Sequence, residues 1–533
     1  MRVFCEYTRP EVKERPVANP IEKIKDEKPG LVIKTELAQL ADAGWEAVSR
    51  ADQERLKWVG WFFRRKTPGR WMVRLRVPGG ILTSVQLQMI GDILENFSDV
   101  KQLDITTRQN LELRGLCLED ILAVMDRLQS VGITTVQSGM DNVRNIVGSP
   151  VAGLDPEELI DVRPLVQELQ DAITNAGTGN FDLSNLPRKF NISITGDREN
   201  SAHAEINDIG FIPARRAGQT GFNVLVGGVL NSQRATPALP LDCFVLPHEV
   251  TPLSVAILEV YRDYGPREQR TQARMIHLIE QWGLAKFRAM VETAFGHPLT
   301  PAAGEEFIDY HKRDHIGVHP QKQEGFYFVG LHVPIGRIYA PQVLEVARLA
   351  ETYGTGEVRF TVEQSLLIPH VHQSRLDELF HEPLLQQFSP DPDPLLRGLV
   401  SCTGAQFCNL AIIETKERAL KLTHILAEEL EIPQPVRIHW SGCPNSCGQP
   451  QLGDIGLVGT KTKLNGQNVD AVDILMGGRV GRDACLGTVV QQNVPCAELP
   501  AVLKALLIEH FGAEERQPSG SSAPETIQLL NFA

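Results

Sequence analysis

The segments RVPGGILTSVQLQMIGDILENF (residues 76–97) and LDITTRQNLELRG (residues 103–115) follow each other in the first third of the chain. The first begins with a Pro-Gly-Gly turn and continues with apolar residues at i, i+3 and i+4, a spacing typical of an amphipathic helix. In the second segment polar and apolar side chains alternate, or β-branched and apolar side chains stand next to each other, a pattern that predicts a strand. Together with the strand-like residues before the turn, the two segments predict a β-α-β unit.

The same pattern occurs again as HVPIGRIYAPQVLEVARLAETY (residues 332–353) followed by VRFTVEQSLLIPH (residues 358–370). A second motif is also repeated: NISITG (residues 191–196) leads to DIGF, and RIHWSG (residues 437–442) leads to DIGL. The interval from the last glycine of the motif to the aspartate is 12 residues in both copies. Two matches in the same order predict an internal duplication; chance similarity of short β motifs is the alternative.

The duplication predicts an α+β chain built from two related halves, each a β-α-β unit followed by an α/β segment. The small, polar and Pro-containing stretch RQPSGSSAP predicts a flexible connection to a short tail. The predicted segments are an N-terminal extension at 1–56, the first β-α-β unit at 57–135, its α/β segment at 136–320, the second β-α-β unit at 321–392, its α/β segment at 393–515 and the tail at 516–533.

The bulk composition excludes several classes of protein. The 533 residues include 53 Lys and Arg against 66 Asp and Glu, a net charge of −13, which argues against a general nucleic-acid binder. The sequence has no run of about 18 apolar residues, so it predicts no membrane span. The N-terminus lacks the apolar core of a secretory segment and carries several glutamates, so we expect a chain that starts near Met1 and works in a cytoplasm.

Four of the nine cysteines form two close pairs, Cys402 with Cys408 and Cys443 with Cys447, separated by 34 residues. In a reducing compartment such a constellation is typical of a four-thiolate site that holds zinc or an iron–sulfur cluster. Both spacings are wider than the two-residue gap usual in structural zinc sites, which favours the larger cluster. The repeated motif ends at a glycine in both halves. Asp197 and Ser201 follow this glycine in the first half at the positions that Cys443 and Cys447 occupy in the second. Only the second half therefore carries the ligands.

The first half is also rich in cations within strand-like segments. Cations between apolar neighbours are costly to bury unless they are paired. They can lie on an outward strand face or in internal salt bridges, or they can line a pocket for anions, where arginine binds carboxylates bidentately and lysine supplies a point charge. The residues concerned are Arg74, Arg76, Arg108, Arg144, Arg188 and Lys189.

These residues carry a resemblance to the siroheme- and [4Fe–4S]-containing nitrite and sulfite reductases, which runs from about residue 58 to about residue 511. CTGAQFC and CPNSC match the cluster signature of that family, while TTRQN, DNVRN and LPRKFN match its active-site segments. The resemblance implies a three-domain architecture, a siroheme and a [4Fe–4S] cluster as cofactors, and electrons that arrive one at a time.

The resemblance also implies roles for individual residues. Three of the cysteines bind only the cluster, whereas Cys447 also bridges to the siroheme iron. The residues implied on the substrate side are Arg74, Arg144, Lys189 and Asn191, and those implied to hold siroheme carboxylates are Arg108 and Arg188.

Nitrite is favoured over sulfite as the substrate. In the sulfite branch of the family a second lysine typically stands two residues after the active-site lysine, and here that position is Asn191. One positive charge fewer suits the monoanion nitrite, which predicts six-electron reduction of nitrite to ammonia. The alternatives are an assimilatory sulfite reductase and, from another class, a zinc-stabilised scaffold without redox activity.

The electron donor is expected to be a separate protein, because the sequence has no dinucleotide-binding fingerprint opening a helix. The resemblance implies reduced ferredoxin as this donor and a monomeric enzyme. Since ferredoxins are usually acidic and this chain is acidic too, docking needs a local basic face. Arg64-Arg65-Lys66 is one candidate, and a solvated charge run without a partner is the alternative.

Overall fold

The computed structural model describes residues 19–231, 234–309 and 312–516. The expectations for the first residues of the chain, and for the tail after residue 516, lie outside this range. The described helices are α1 Pro20–Glu27, α2 Leu37–Ala43, α3 Arg50–Arg55, α4 Ser84–Phe97, α5 Ile121–Ser130, α6 Arg163–Thr174, α7 Val250–Tyr264, α8 Met275–Trp282, α9 Leu284–Phe295, α10 Ala340–Tyr353, α11 Leu376–Phe380, α12 Pro394–Arg397, α13 Lys416–Glu429 and α14 Leu499–Phe511.

The strands up to the middle of the chain are β1 Trp61–Phe63, β2 Trp71–Arg74, β3 Ile81–Thr83, β4 Gln102–Ile105, β5 Leu111–Leu116, β6 Val147–Gly148, β7 Ile192–Ile194, β8 Ile209–Arg216, β9 Gln219–Val226, β10 Val229–Leu230, β11 Ala235–Thr236, β12 Leu239–Val245 and β13 Glu305–Glu306. The later strands are β14 Gly317–Pro320, β15 Phe326–Leu331, β16 Arg337–Tyr339, β17 Glu357–Phe360, β18 Leu366–His372, β19 Leu399–Ser401, β20 Leu430–Glu431, β21 Ile438–Ser441, β22 Ile455–Leu464, β23 Gln467–Met476, β24 Thr488–Pro495 and β25 Glu514–Glu515.

The two β-α-β units form one interlocked body, because each gives a strand to the sheet of the other. One sheet has the order β1-β2-β5-β4-β16, and the other has the order β14-β15-β18-β17-β3. Each exchanged strand lies directly after the turn predicted from the sequence, and α4 and α10 follow these strands. A single apolar core contains side chains from both units. The sequence predicted the two units and their helices, but it did not predict the strand exchange.

Two equivalent glutamines fasten the units to each other. Gln109 donates from its side-chain nitrogen to the Phe360 carbonyl at 3.0 Å, and Gln364 donates to the Ile105 carbonyl at 2.8 Å. The turn at Gly80 has φ +76°, and a Cβ there would meet the Phe360 carbonyl oxygen at 2.5 Å, so the close approach of the two units requires glycine at this position.

The two α/β segments form separate sheets that preserve the predicted duplication. The first sheet has the order β12-β9-β8-β7-β6 with β13 beside β8, and the second has the order β19-β21-β22-β23-β24. In the first copy the Asp208 carboxylate accepts the backbone N–H of Asn191 at 2.8 Å; in the second, Asp454 accepts that of Arg437 at the same distance. The repeated aspartate therefore ties two neighbouring parallel strands together in each half.

Residues 20–56, predicted as an N-terminal extension, pack as short helices against the first β-α-β unit. Ile33, Leu37, Val48 and Leu56 are buried in the common core. In the part of the chain that the structure describes, no helix is long and apolar enough to cross a membrane.

Candidate active site

The two cysteine pairs lie at one edge of the last large sheet. Strands β19 and β21 run parallel as neighbours, with Ser401 opposite Trp440. The first cysteine pair follows β19 and the second follows β21. Because the carboxyl ends of parallel neighbours meet at the same sheet edge, the fold brings together loops that are about 40 residues apart in sequence.

Three of the four sulfurs receive N–H donors from these loops. The Gly442 amide lies 3.1 Å from the Cys402 sulfur, the Leu410 amide 3.4 Å from the Cys408 sulfur, and the Asn445 side-chain nitrogen 3.4 Å from the Cys443 sulfur. Such donors stabilise thiolates, which are the ligand form of cysteine. Among the described residues, the one polar contact of the Cys447 sulfur is with the carbonyl oxygen of Asn445 at 4.0 Å, and Cys447 is exposed to the cavities beside it.

The four cysteines border a cavity and do not gather around one point in the described structure. Among the described residues, no three His, Cys, Asp or Glu side chains come close enough together to hold one metal ion. A zinc ion needs four ligands within about 2.3 Å of one point. The four cysteines nevertheless line one common cavity.

This cavity, of about 720 Å³, also contains most of the predicted cations. Its walls come from the first β-α-β unit, from the loops around β7 and from both cysteine loops. The predicted site residues that line it are Arg74, Arg108, Arg144, Arg188, Lys189, Cys402, Cys408, Cys443 and Cys447.

The substrate-side cations differ in how they are paired. Arg74 forms an ion pair with Glu112 at 2.6 Å. Arg144 donates to the carbonyl oxygens of Ser138 and Met140 at 2.9 and 2.8 Å, while its Nε is buried without a partner in the described structure. Lys189 makes no hydrogen bond or ion pair with the described residues, and neither do the side chains of Arg108 and Arg188.

The electrostatics of this cavity disfavour further positive charge. Burial, with the charges of Arg74, Arg108 and Arg188, lowers the pKa of Arg144 well below its usual range. Burial, with the charges of Arg108 and Arg274, also lowers the pKa of Lys189 well below its usual range, although the nearby Cys447 thiolate acts in the opposite direction. These cations repel one another, and too few carboxylates lie nearby to neutralise them. A bound anion would therefore stabilise the site.

Asn191 lies in a smaller adjoining cavity. Arg108, Lys189 and Cys447 border both cavities, so the two cavities are neighbours that share part of their lining. The Asn191 side-chain oxygen is buried and accepts no hydrogen bond from the described residues. An unpaired amide at this position leaves a polar group available to a bound molecule.

The structure also places residues that the sequence reasoning missed or read differently. Arg64, predicted as part of a docking face, lines the cavity, and burial lowers its pKa to about 10. Arg274 lines it too and pairs with Asp208 at 2.6 Å. Arg76 does not line it; its guanidinium donates to backbone carbonyls that include those of Val143 and Arg144. Nothing in the local sequence pattern distinguished these arginines from one another.

Comparison with known proteins adds the family. A family model described as "Nitrite and sulphite reductase 4Fe-4S domain" matches residues 139–299 and 393–517. A second, described as "Nitrite/Sulfite reductase ferredoxin-like half domain", matches residues 63–131 and 319–385. The chain belongs to the nitrite and sulfite reductase family. These are oxidoreductases, and the duplicated pair of matches agrees with the two halves seen in the fold.

Relatives of this reductase cover nearly its whole length. It is 56% identical over 500 residues to "Ferredoxin--nitrite reductase" of Synechococcus elongatus, covering 93% of this chain and 98% of that one. It is 47% identical over 520 residues to "Ferredoxin--nitrite reductase, chloroplastic" of Zea mays, covering 95% and 91%. The solved structure of Mycobacterium tuberculosis NirA protein matches with a TM-score of 0.86 and 29% identity over 95% of each chain. The predicted fold class and family resemblance are confirmed.

Proposed function

We propose that this reductase converts nitrite to ammonia with six electrons supplied singly by reduced ferredoxin. The relatives from Synechococcus elongatus and Zea mays both carry the name ferredoxin–nitrite reductase. The observation in the structure that supports the proposal most directly is the position of Cys447. Cys447 is exposed and borders both the cavity lined by the other cysteines and the cations and the smaller cavity that contains Asn191.

The residues present fit the two cofactors that this function needs. The four cysteines would hold the [4Fe–4S] cluster, and Cys447 would also be the ligand shared with siroheme. Arg108 and Arg188, whose side chains form no ion pair with the described residues, would bind the carboxylates of the tetrapyrrole. When bound, the siroheme and the [4Fe–4S] cluster would pass on the donor's electrons and supply the iron centre for reducing a small oxyanion.

The remaining cations would act on the substrate. Nitrite gains six electrons and eight protons to give ammonium and two waters, so its oxygen atoms must be bound and protonated as they leave. Arg144 and Lys189 line the cavity and form no ion pair with the described residues, and the Nε of Arg144 has no hydrogen-bond partner among them, so we assign both residues to binding these oxygens. Lys189, whose pKa is lowered by burial, can give up a proton from its Nζ more readily than an exposed lysine. Arg74, held by Glu112, would contribute a fixed but partly neutralised charge.

The choice of nitrite over sulfite is tested by Asn191→Lys. In the repeated half the equivalent position is Arg437, which pairs with Asp454 at 2.6 Å, so the scaffold accommodates a long cation there. The added charge should stabilise a dianion more than a monoanion. We expect the ratio of sulfite to nitrite turnover to rise by about tenfold, the scale of a single pocket contact. The measurement is steady-state turnover with a reduced one-electron dye, assaying sulfide and ammonia.

Asn191→Met is the matched control, because it changes the length of the side chain without adding charge. The ratio of sulfite to nitrite turnover in this variant should stay within about twofold of the wild-type ratio, since no charge is introduced. The wild-type protein should prefer nitrite strongly. A wild-type preference for sulfite would contradict the proposed substrate, and an unchanged ratio in Asn191→Lys would place the specificity elsewhere.

A docking surface for ferredoxin lies outside the cysteine loop. The Leu410 side chain, 69% exposed, and Ile412, 37% exposed, follow Cys408. Arg65 and Lys66 are also exposed. They lie beside these two residues because the Arg65 amide donates to the Asn409 side chain at 2.8 Å. An apolar centre with flanking cations fits an acidic carrier, and we assign ferredoxin docking to this surface.

Arg65→Glu should weaken the interaction with ferredoxin. We expect KM for ferredoxin to rise by about tenfold at low salt, with a smaller effect at high salt, because exposed charges are screened. Turnover with a small reduced dye should be unchanged. Lys463→Glu, on the exposed part of β22, is the matched charge reversal and should leave KM for ferredoxin unaltered. An equal effect of both variants would show that only net charge matters.

Some expectations from the sequence stay predictions. They are the domain boundaries, the roles of individual site residues, a monomeric state and a cytoplasmic location.

A further inference from the structure

A row of charged residues crosses the sheet beneath the cysteine loop. Arg74 of β2 lies opposite Glu112 of β5, which lies opposite Asp104 of β4, which lies opposite Arg337 of β16. The row therefore runs from the substrate-side cation to a strand contributed by the second half of the chain. We call these four residues together with Arg114 the charged row.

Arg114 joins the two carboxylates of the charged row. It lies two residues after Glu112 on β5 and therefore on the same face of the sheet. Its guanidinium donates to Asp104 at 2.7 Å and to Glu112 at 2.6 Å. The Glu112 carboxylate in turn accepts from Arg74 at 2.6 Å. The side chains of Arg114, Asp104 and Glu112 are all at least nine-tenths buried.

The same arginine also supports the cysteine loop. Arg114 donates to the Thr403 hydroxyl at 2.8 Å, directly beside Cys402. Its guanidinium lies 5.3 Å from the ring centre of Phe407, and that of Arg337 lies 5.7 Å from the same ring. Phe407 stands between the first two cysteines, so both ends of this loop are braced by the charged row.

The charges of this region do not cancel. Arg74, Arg114, Arg337 and the buried Lys416, whose ammonium lies 3.7 Å from Asp104, supply four cations against two carboxylates. A buried excess of positive charge stabilises a neighbouring centre that gains an electron, and net charge is among the factors that set cluster potentials. The cationic excess therefore acts on the group that the cysteines hold.

We propose that Arg114 and Glu112 are positioning residues that support the cluster loop and the substrate-side Arg74 at the same time. Arg114 raises the reduction potential of the cluster and fixes its loop through Thr403. Glu112 holds the guanidinium of Arg74 at the cavity wall. This inference rests on the proposed function, since it gives the cysteines a cluster and Arg74 an oxyanion.

The test uses the holoenzyme and two readouts that do not depend on turnover. The reduction potential of the cluster is followed by electron paramagnetic resonance during a reductive titration. Nitrite binding to the oxidised enzyme is followed by the change in its visible absorption. We expect Arg114→Met to lower the potential and weaken nitrite binding, and Glu112→Gln to raise the potential while it too weakens binding. The binding losses should be about tenfold, the value of a hydrogen bond to a charged group.

General loosening of the fold would not shift the cluster potential in opposite directions in the two variants while it weakens nitrite binding in both. Arg348→Met, which removes an exposed guanidinium paired with Glu345 and Glu382, is the control and should move neither readout. If Arg114→Met does not fold, Thr403→Val removes only the contact to the cluster loop. That variant should lower the potential while nitrite affinity stays within about twofold, since no charge near Arg74 changes.

An unchanged potential in Arg114→Met, or in Thr403→Val where the first variant does not fold, would overturn the proposal. Unchanged nitrite affinity in Glu112→Gln would overturn it as well. Failure of the proposed function would look different, because the wild-type enzyme itself would then neither bind nor reduce nitrite while its cluster potential could still be measured.

Discussion

Cys447→Ser is expected to abolish nitrite reduction and to remove siroheme from the purified protein. The Cys447 residue is exposed between two cavities, and its sulfur receives no N–H donor from the described residues, unlike the other three cysteine sulfurs. A serine hydroxyl is a much harder and less acidic ligand than a thiolate, so it should not replace the sulfur that we propose the two cofactors share. Activity should fall to background, as followed by ammonia production, and the visible absorption of siroheme should be lost.

The control for this variant is Cys485→Ser. Cys485 lies in the loop after β23, where its sulfur contacts the Gly477 carbonyl at 3.2 Å, and it lines neither of the site cavities. It should retain full cofactor content and activity. Full activity in Cys447→Ser would remove Cys447 from the role of shared ligand, whatever happened to the other three cysteines.

Lys189→Met is expected to cause the second-largest loss. The ammonium group of Lys189 lines both cavities and has no partner among the described residues, so its charge is available to a bound oxyanion. Removing a group that binds and protonates developing charge typically costs about 10² to 10⁴-fold in rate. We expect kcat/KM for nitrite to fall by that factor, with siroheme and iron content retained.

A stability measurement separates this effect from unfolding. Burial and neighbouring arginines lower the pKa of Lys189, so its charged form destabilises the fold without a bound anion. Because the folded-state pKa is depressed, this penalty is complete below that pKa and disappears as the pH rises to the usual lysine range. Lys189→Met should therefore melt no lower than the wild type at neutral pH, whereas the exposed control Lys463→Met should change neither melting nor turnover. A large loss of stability would indicate a structural role for Lys189.

Much of the fold was predictable from the sequence because its signals are local. The turn at residues 78–80, the amphipathic pattern of α4 and its counterpart α10, and the glycine-to-aspartate interval each report on neighbouring residues. The strand exchange was not predictable in this way. It depends on β3 pairing with β17 and on β16 pairing with β4, across more than 200 residues, and no pattern within either strand records its partner.

The site was predictable to the extent that its residues stand in motifs. The cysteine spacings and the active-site segments indicated a group of residues that the structure brings to one cavity. The pairing of the cations was not predictable, because it is set by cross-strand neighbours. Arg74 is neutralised in part by Glu112, whereas Lys189 has no partner among the described residues. Arg64 lines the cavity although the next two cations in the sequence, Arg65 and Lys66, are exposed.

The proposed reaction takes nitrite to ammonia at this site with electrons from ferredoxin. The most direct measurement counts products and electrons with the purified wild-type enzyme, using photoreduced ferredoxin and limiting nitrite. We predict one ammonia formed and six reduced ferredoxins consumed for each nitrite, with little sulfide formed when sulfite replaces nitrite. Faster reduction of sulfite than of nitrite, or consumption of nitrite without formation of ammonia, would contradict the account.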